Sequence, residues 1–572
     1  MISRKIFKLR HPSKVTGFQK NSIIPLLGNE AIVLGALESG VGFVTTYPGT
    51  PASEIGDLFY KIKENYGIYM EYSTNEIVAL EAAAGAAYAG IRALTAMKGF
   101  GANVAMDALI PIAYTKPRAG LVIVIADDPG CHSSAQSEQD SRVFIENLNL
   151  VTLEPADPIE AKEFTKLAFR ISEKFQKPVI IRTTTRSAHQ TAPVKVGEIK
   201  TSKTKGKFIK DLKRFNTALP LVLSQKKQLL ALKKSIGNYL KKTRLNPIID
   251  GQLKNFGIIV SGVSYLYCLE ALKNLNVSLP ILKIDTFYPL PIGKILQFLK
   301  EKNKILVVEE IIGLIEEKIR AEVQKNGLKT EIYGKDLMEP VGELNPERIT
   351  EALAHFLGKK YRKFTLSKAE GQKQTQLDLV KRTPRFCPGC PYWSIFTALK
   401  EIEDKEKVIF VGDIGCYMMG YYPPFELQDI LLCMGSSIGI SHGIAKVTNQ
   451  KVIAMLGDST FFHASLPGLL NIVHNKSNPL IIIFDNGITA MTGHQPHPAT
   501  PLKFKTHDGK SEIKIENILK AIGIKNIAIF DPVSQNKALR DKIKKWFFQK
   551  EAAVIICRHP CVYINELEKG AA

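Results

Sequence analysis

The segment Lys451–Met491, KVIAMLGDSTFFHASLPGLLNIVHNKSNPLIIIFDNGITAM, decides the fold. An apolar run ends in Gly457, Asp458 and Ser459, a helix-length stretch continues to about Asn475, and a second apolar run ends in Asp485 and Asn486. Short apolar runs bounded by turn residues and separated by such a stretch read as a strand-helix-strand unit. The crossover makes the two strands parallel, so their carboxyl ends open on one edge of the sheet, where open α/β sheets bind ligands. Asp458 and Asn486 are therefore expected to face one site. A hard divalent cation such as Mg²⁺ takes about six oxygens, shared between one or two protein groups, waters and ligand phosphates. The Asp458 carboxylate, the Asn486 carboxamide oxygen and the main-chain carbonyl of Ile488 suit that need. Gly457 would let a diphosphate approach the backbone without meeting a Cβ.

The same alternation extends outward from this unit. GNEAIVLGALESG reads as a helix ending at Gly40, VGFVTTYPGTPASEI as a strand entering a Gly-Pro loop, and EYSTNEIVALEAAAGAAYAG as a strand and a small-residue helix. ALTAMKG, GLVIVIADDPG, LVTLEPAD and KPVIIRTTTR supply four more strand candidates, alternating with helical stretches, which argues for a parallel sheet covered on both faces. FGIIVSGVSYLYCLEAL, LPILKIDTFYPLP and NKILVVEEIIGLIEEKIRAEV form a third group of the same kind. Glu309 and Glu310 are adjacent at a strand end; because neighbouring strand residues point to opposite faces, they read as structural rather than as a facing acid-base pair. The expected architecture is α/β with three doubly wound parallel-sheet domains, at residues 1–194, 251–358 and 383–572, joined by a Lys-rich connector with a helix (195–250) and a polar connector (359–382).

Composition excludes several classes. A chain of 572 residues that is 45% hydrophobic and 23% charged is ordinary for a globular protein of several domains. Its longest apolar runs, Leu121 to Ala126 and Pro479 to Phe484, fall far short of the roughly 20 residues that span a bilayer. MISRKIFKLRHPSK is basic but lacks the apolar stretch of a secretory signal, so a cytoplasmic location is expected. The net charge of +22 invites a nucleic-acid reading, but between Lys195 and Arg244 fifteen Lys or Arg face only Glu198 and Asp211, so more than half the surplus sits in one connector. That stretch reads as a solvated linker, or as a docking surface for an acidic partner such as an electron carrier. Among the eight cysteines only Cys387 and Cys390 form a C-x-x-C, with Cys557 and Cys561 as a distant second pair; no iron-sulfur spacing is present. Cys131, Cys268, Cys416 and Cys433 read as buried, inert thiols.

Glu76 opens the helix of NEIVALEAAAGAAYAG, where the helix dipole alone would favour a carboxylate. Beyond the bare residue, Gly457-Asp458-Ser459 followed by Asn486 resembles the thiamine diphosphate (ThDP) signature. YPGTPASEI, TNEIVALEAAAGAAYAG, DDPGCHSSAQSEQDSR, CPGCPYW, GDIGCYMMG, MGSSIGISHG and GDSTFFHASLPGLLN, in that order, resemble the large subunit of the indolepyruvate:ferredoxin oxidoreductases, over nearly the whole chain from Leu27 to Tyr563. The resemblance implies that Glu76 is the acid at N1′ of the aminopyrimidine, that Thr50 lies at the substrate carboxylate, and that Asp458, Asn486 and the Ile488 carbonyl hold Mg²⁺. It implies that Cys390, Gly412, Asp413, Gly415, Cys416 and Gly435, with Gly457 and Ser459 of the signature, line the cofactor. The implied activity is oxidative decarboxylation of aryl 2-oxo acids to acyl-CoA and CO₂, with electrons passing to ferredoxin and a small gamma-type subunit as partner in an oligomer. A non-oxidative ThDP decarboxylase or carboligase is the alternative. Two departures from the family pattern stand out. The C-terminal runs that ligate two [4Fe-4S] clusters do not occur before Ala572, so no cluster is expected on this chain and a separate iron-sulfur protein would carry the electrons. Tyr392 and Trp393 stand where the family commonly has His.

Overall fold

Apolar runs become parallel strands throughout the computed structural model, which describes residues 17–133, 136–202, 204–361, 384–403, 407–502, 511–547 and 549–564. The basic N-terminal segment and most of the 359–382 connector lie outside these residues. The chain divides into two units, Met1–Gln372 and Lys373–Ala572.

The first unit holds two large sheets. One has seven strands in the order Thr286–Tyr288, Thr152–Leu153, Val179–Thr184, Leu121–Asp127, Ala93–Lys98, Phe43–Thr46, Tyr69–Tyr72. All its neighbours pair in parallel except the first two. Leu121–Asp127 is buried along its whole length, as a central strand covered on both faces must be. The other sheet has five strands, ordered Glu331–Tyr333, Lys304–Val308, Phe256–Ser261, Ile281–Ile284, Ile248–Ile249, parallel save for the last. The sequence reading treats LPILKIDTFYPLP as one strand of this third group; in the structure it is divided. Ile281–Ile284 stays in the five-stranded sheet, while Thr286–Tyr288 crosses over to run antiparallel to Thr152–Leu153. Asp285 sits at the crossing, its carboxylate accepting from the Asn246 amide and pairing with buried Lys283.

Buried charges tie these two sheets together. The Arg142 side chain is fully buried; it pairs with Asp140 and, at 2.7 Å, with Glu309, and donates to the carbonyls of Glu310 and Ile312. Arg182 pairs with Asp127 and Glu154. Burying a guanidinium is costly unless carboxylates pair with it in this way. Glu309 also accepts from the amides of Ile315 and Glu316, whereas Glu310 accepts from Leu344, so the adjacent carboxylates diverge into different structural contacts.

The Lys-rich stretch contains a 20-residue helix, Leu221–Leu240. Leu229 and Ile236 are buried while its lysines lie outside, which is how an amphipathic surface helix attaches.

The second unit is a five-stranded parallel sheet, ordered Val408–Val411, Lys451–Gly457, Leu480–Asp485, Ala553–Arg558, Asn526–Phe530. Its central pair is the strand-helix-strand unit: Lys451–Gly457, a helical segment from Asp458 through Leu466–His474 with a π turn at Phe461–Ser465, and Leu480–Asp485. Among the described residues no helix is long and apolar enough to cross a membrane.

Candidate active site

In the second unit, Gly457 pairs with Phe484 in register, so Asp458 and Asn486 leave adjacent strands at the same edge. Asp458 is buried and organises the second loop: Oδ2 accepts from the amides of Asn486 at 3.0 Å and Gly487 at 2.7 Å, and Oδ1 accepts from Ser459 at 2.8 Å. Gly487 takes φ +77°, a conformation glycine adopts freely. The Asn486 carboxamide is oriented from both ends, its Oδ1 accepting from Ile488 N at 3.0 Å and its Nδ2 donating to the buried Tyr392 hydroxyl at 2.9 Å. The Asp458 carboxylate and the Asn486 carboxamide oxygen are oxygen donors of the kind a hard divalent cation takes, and Ile488 follows directly on the same loop. Ser459 Oγ accepts from Thr489 Oγ1, joining the same two loops.

For two groups here the contacts could not be read from the sequence. Tyr392 lies 94 residues from Asn486, and its ring is packed edge-on against Phe484. His497, with His463 and His494, falls by sequence near the ligand edge and reads as a loop or core histidine rather than an acid or base; in the structure its Nε2 lies 3.1 Å from Asp458 Oδ2. No spacing rule connects either to the signature.

Other candidate residues hold the loops around this edge. The Asp413 carboxylate accepts from the amides of Ile414, Gly435 and Ser437, tying the loop after Val408–Val411 to the start of helix Ser436–Val447; burial pushes this carboxyl up to about 6. A Cβ at Gly412 would lie 2.5 Å from Gln428 Oε1, and one at Gly435, where φ is +85°, 2.8 Å from the Ala464 side chain. At Gly457 and Gly415 a Cβ would meet the Tyr417 ring at 2.8 and 2.4 Å. The Tyr417 ring is thus a second reason, beside the expected diphosphate, for glycine at Gly457.

The cysteine reading also changes. Cys433 is exposed rather than buried, and Cys131 and Cys416 are half-buried; Cys268 is buried as expected. Cys387, Cys390, Cys416 and Cys561 lie within electrostatic reach of one another, and burial pushes the Cys390 and Cys416 thiols up to about 12. Cys557, on a buried strand, stands apart from that group. All eight are free thiols.

In the first unit, Glu76 is the first residue of helix Glu76–Tyr88, capped by Asn75, whose side chain accepts from Val78 N. Its carboxyl is buried against the first turn of helix Gly99–Tyr114: a Cβ at Gly101 would sit 2.7 Å from Glu76 Oε1. Thr50 lies in the loop following Phe43–Thr46, and its carbonyl accepts from Ser133 Oγ at 3.4 Å.

Two sets of comparisons bear on this geometry. Residues 34–231 match the model of the thiamine-diphosphate-binding domain of pyruvate flavodoxin/ferredoxin oxidoreductases. Residues 413–557 match the model of the C-terminal TPP binding domain of thiamine pyrophosphate enzymes. Fold and site thus define a thiamine-diphosphate-dependent enzyme of the 2-oxoacid oxidoreductase class. Over 557 residues the chain is 41% identical to indolepyruvate oxidoreductase subunit IorA of Thermococcus kodakarensis, covering 94% of this chain and 85% of that protein. Identity to the subunits of the same name is 38% over 553 residues in Methanothermobacter thermautotrophicus (95% and 88% covered) and 39% over 548 in Archaeoglobus fulgidus (94% and 86%). The chain belongs to the family of indolepyruvate oxidoreductase subunit IorA.

Proposed function

We propose that this chain is the ThDP-binding subunit of an enzyme that oxidatively decarboxylates aryl 2-oxo acids to acyl-CoA and CO₂, passing electrons through a gamma-type partner subunit or a separate iron-sulfur protein to ferredoxin. The observation that carries this reading is the pairing of Asp458 with the Asn486 loop while Tyr392 sets the polarity of the Asn486 carboxamide. Asp458, Asn486 and the Ile488 carbonyl would hold Mg²⁺, which would supply positive charge for a diphosphate. Ser459, Gly457, Gly435, Gly415 and Gly412, with Asp413, shape the surrounding loops; Cys390 and Cys416 stand beside them. In the first unit, Glu76 would be the carboxyl that meets the pyrimidine and holds a proton on its own oxygen, and Thr50 would orient the substrate carboxylate. Bound ThDP supplies the electron sink for loss of CO₂; the protein supplies position and electrostatics.

The test is an anaerobic assay of the chain with its co-purified partner, ThDP, Mg²⁺, aryl 2-oxo acids, CoA and a viologen. Acyl-CoA formation coupled to viologen reduction supports the reading. Aldehyde and CO₂ without use of an acceptor would instead make this a non-oxidative decarboxylase. Asp458→Ala should abolish Mg²⁺-dependent ThDP binding in calorimetry, and undiminished binding would overturn the ligand assignment.

A further inference from the structure

With Thr50 at the substrate carboxylate, as the proposed function has it, that carboxylate would enter a part of the first unit that already holds Glu76 and Asp128. Without a cation there, repulsion from those groups would oppose binding. The nearby guanidiniums are committed: Arg142 to Asp140 and Glu309, Arg182 to Asp127 and Glu154. Lys98 is different. It ends strand Ala93–Lys98 and caps helix Gly99–Tyr114, and among the described residues no carboxylate lies within salt-bridge distance of its Nζ. It lines a small recess with Phe100, Asp127, Asp128, Ser137 and Gln139.

We infer that Lys98 is the cation that receives the substrate carboxylate in this recess. The inference rests on the 2-oxo acid reading of the site. Three further observations converge on it. The Lys98 stem passes the backbone of Gly49 so closely that a Cβ there would lie 2.9 Å from Lys98 Cγ, which places the stem beside the residue preceding Thr50. The Lys98 Nζ is 4.8 Å from the Phe100 ring centroid, so an aromatic face adjoins the charge, as an aryl side chain beside a carboxylate requires. Asp128, Glu76 and Cys131 surround the amine electrostatically, but Asp128 already accepts from Ser133 and Thr185. Burial lowers the proton affinity of Lys98, and an arriving carboxylate would offset that desolvation by stabilising the charged form.

The experiment uses the complete enzyme with ThDP and Mg²⁺, and 3-(indol-3-yl)propionate and its primary amide as competing probes. Wild type should prefer the carboxylate. Lys98→Met should erase that preference and raise KM for the 2-oxo acid by about ten- to a hundredfold, the range for lost hydrogen bonds to a charged group, with ThDP affinity unchanged; Lys98→Arg should restore part of it. A Lys98→Met enzyme that binds ThDP normally and still prefers the carboxylate overturns the assignment of Lys98 alone. A wild-type enzyme that binds ThDP but neither binds the probe acid nor turns over any 2-oxo acid overturns the substrate reading, and the inference with it.

Discussion

Placing one methyl group beside Glu76 tests its role without removing the carboxyl. A Cβ at Gly101 would lie 2.7 Å from both Cγ and Oε1 of Glu76 and 3.0 Å from Cδ. Non-bonded carbon contacts are most favourable at about 3.5 to 4.0 Å, so in Gly101→Ala the Glu76 side chain must retreat by roughly 0.8 Å or more. A displacement of about 1 Å from productive geometry costs on the order of 10²-fold in rate, about 2.7 kcal/mol of transition-state stabilisation. Gly101→Ala is therefore expected to slow turnover, and hydrogen-deuterium exchange at C2 of bound ThDP, by about two orders of magnitude with little effect on metal binding. Gly85→Ala is the matched control. It lies in the same helix as Glu76, but a Cβ there meets nothing within 4 Å. Replacing it should stabilise the protein by about 0.4–1 kcal/mol through reduced unfolded-state entropy and leave the exchange rate unchanged. Wild-type exchange in Gly101→Ala, with Glu76 still buried, would refute the assignment of Glu76 as the pyrimidine acid.

Tyr392→Phe removes the acceptor for Asn486 Nδ2 but keeps the ring packed on Phe484. Leaving a buried donor unsatisfied costs about 1–3 kcal/mol, so Mg²⁺-dependent ThDP binding should weaken about tenfold or more in calorimetry; equal affinity would show that the hydroxyl does not set the carboxamide. Glu310 gives a pH prediction. Burial pushes its carboxyl up to about 7, and among the described residues its Oε1 has no partner. The native state therefore keeps a proton that the unfolded chain releases near the ordinary value, and its contribution to stability is full below that value and lost as pH rises through about 7. The loss is at most about 3 kcal/mol. Glu310→Gln should abolish that part of the pH dependence of urea unfolding, and parallel profiles for the two proteins would exclude it.

Much of this molecule is legible along the chain because its cores are built from local patterns. VIAML and LIIIF become central strands, since a strand buried on both faces must be apolar at every position. The parallel crossover then brings Asp458 and Asn486 to one edge without any knowledge of side-chain packing. Glu76 was equally readable, as a helix-opening carboxylate in a run of small residues.

What lay beyond the sequence are contacts whose partners are distant in the chain and obey no period. DTFYPLP leaves its expected sheet because two separate sheets compete for successive residues of one strand, and pairing with Thr152–Leu153 is decided in three dimensions. Tyr392 meets Asn486, His497 approaches Asp458, and Cys561 rather than Cys557 joins Cys387, Cys390 and Cys416, each because different loops end at the same edge of one sheet. Lys98 looks like any lysine at a strand end until the pairing of Arg142 and Arg182 with other carboxylates singles it out. The sequence by itself determined which segments are strands and which signature residues share an edge, because those follow from local hydrophobic pattern and the handed crossover. Only the tertiary structure decided which charges remain to meet a ligand, because that depends on every competing partner the fold brings within reach.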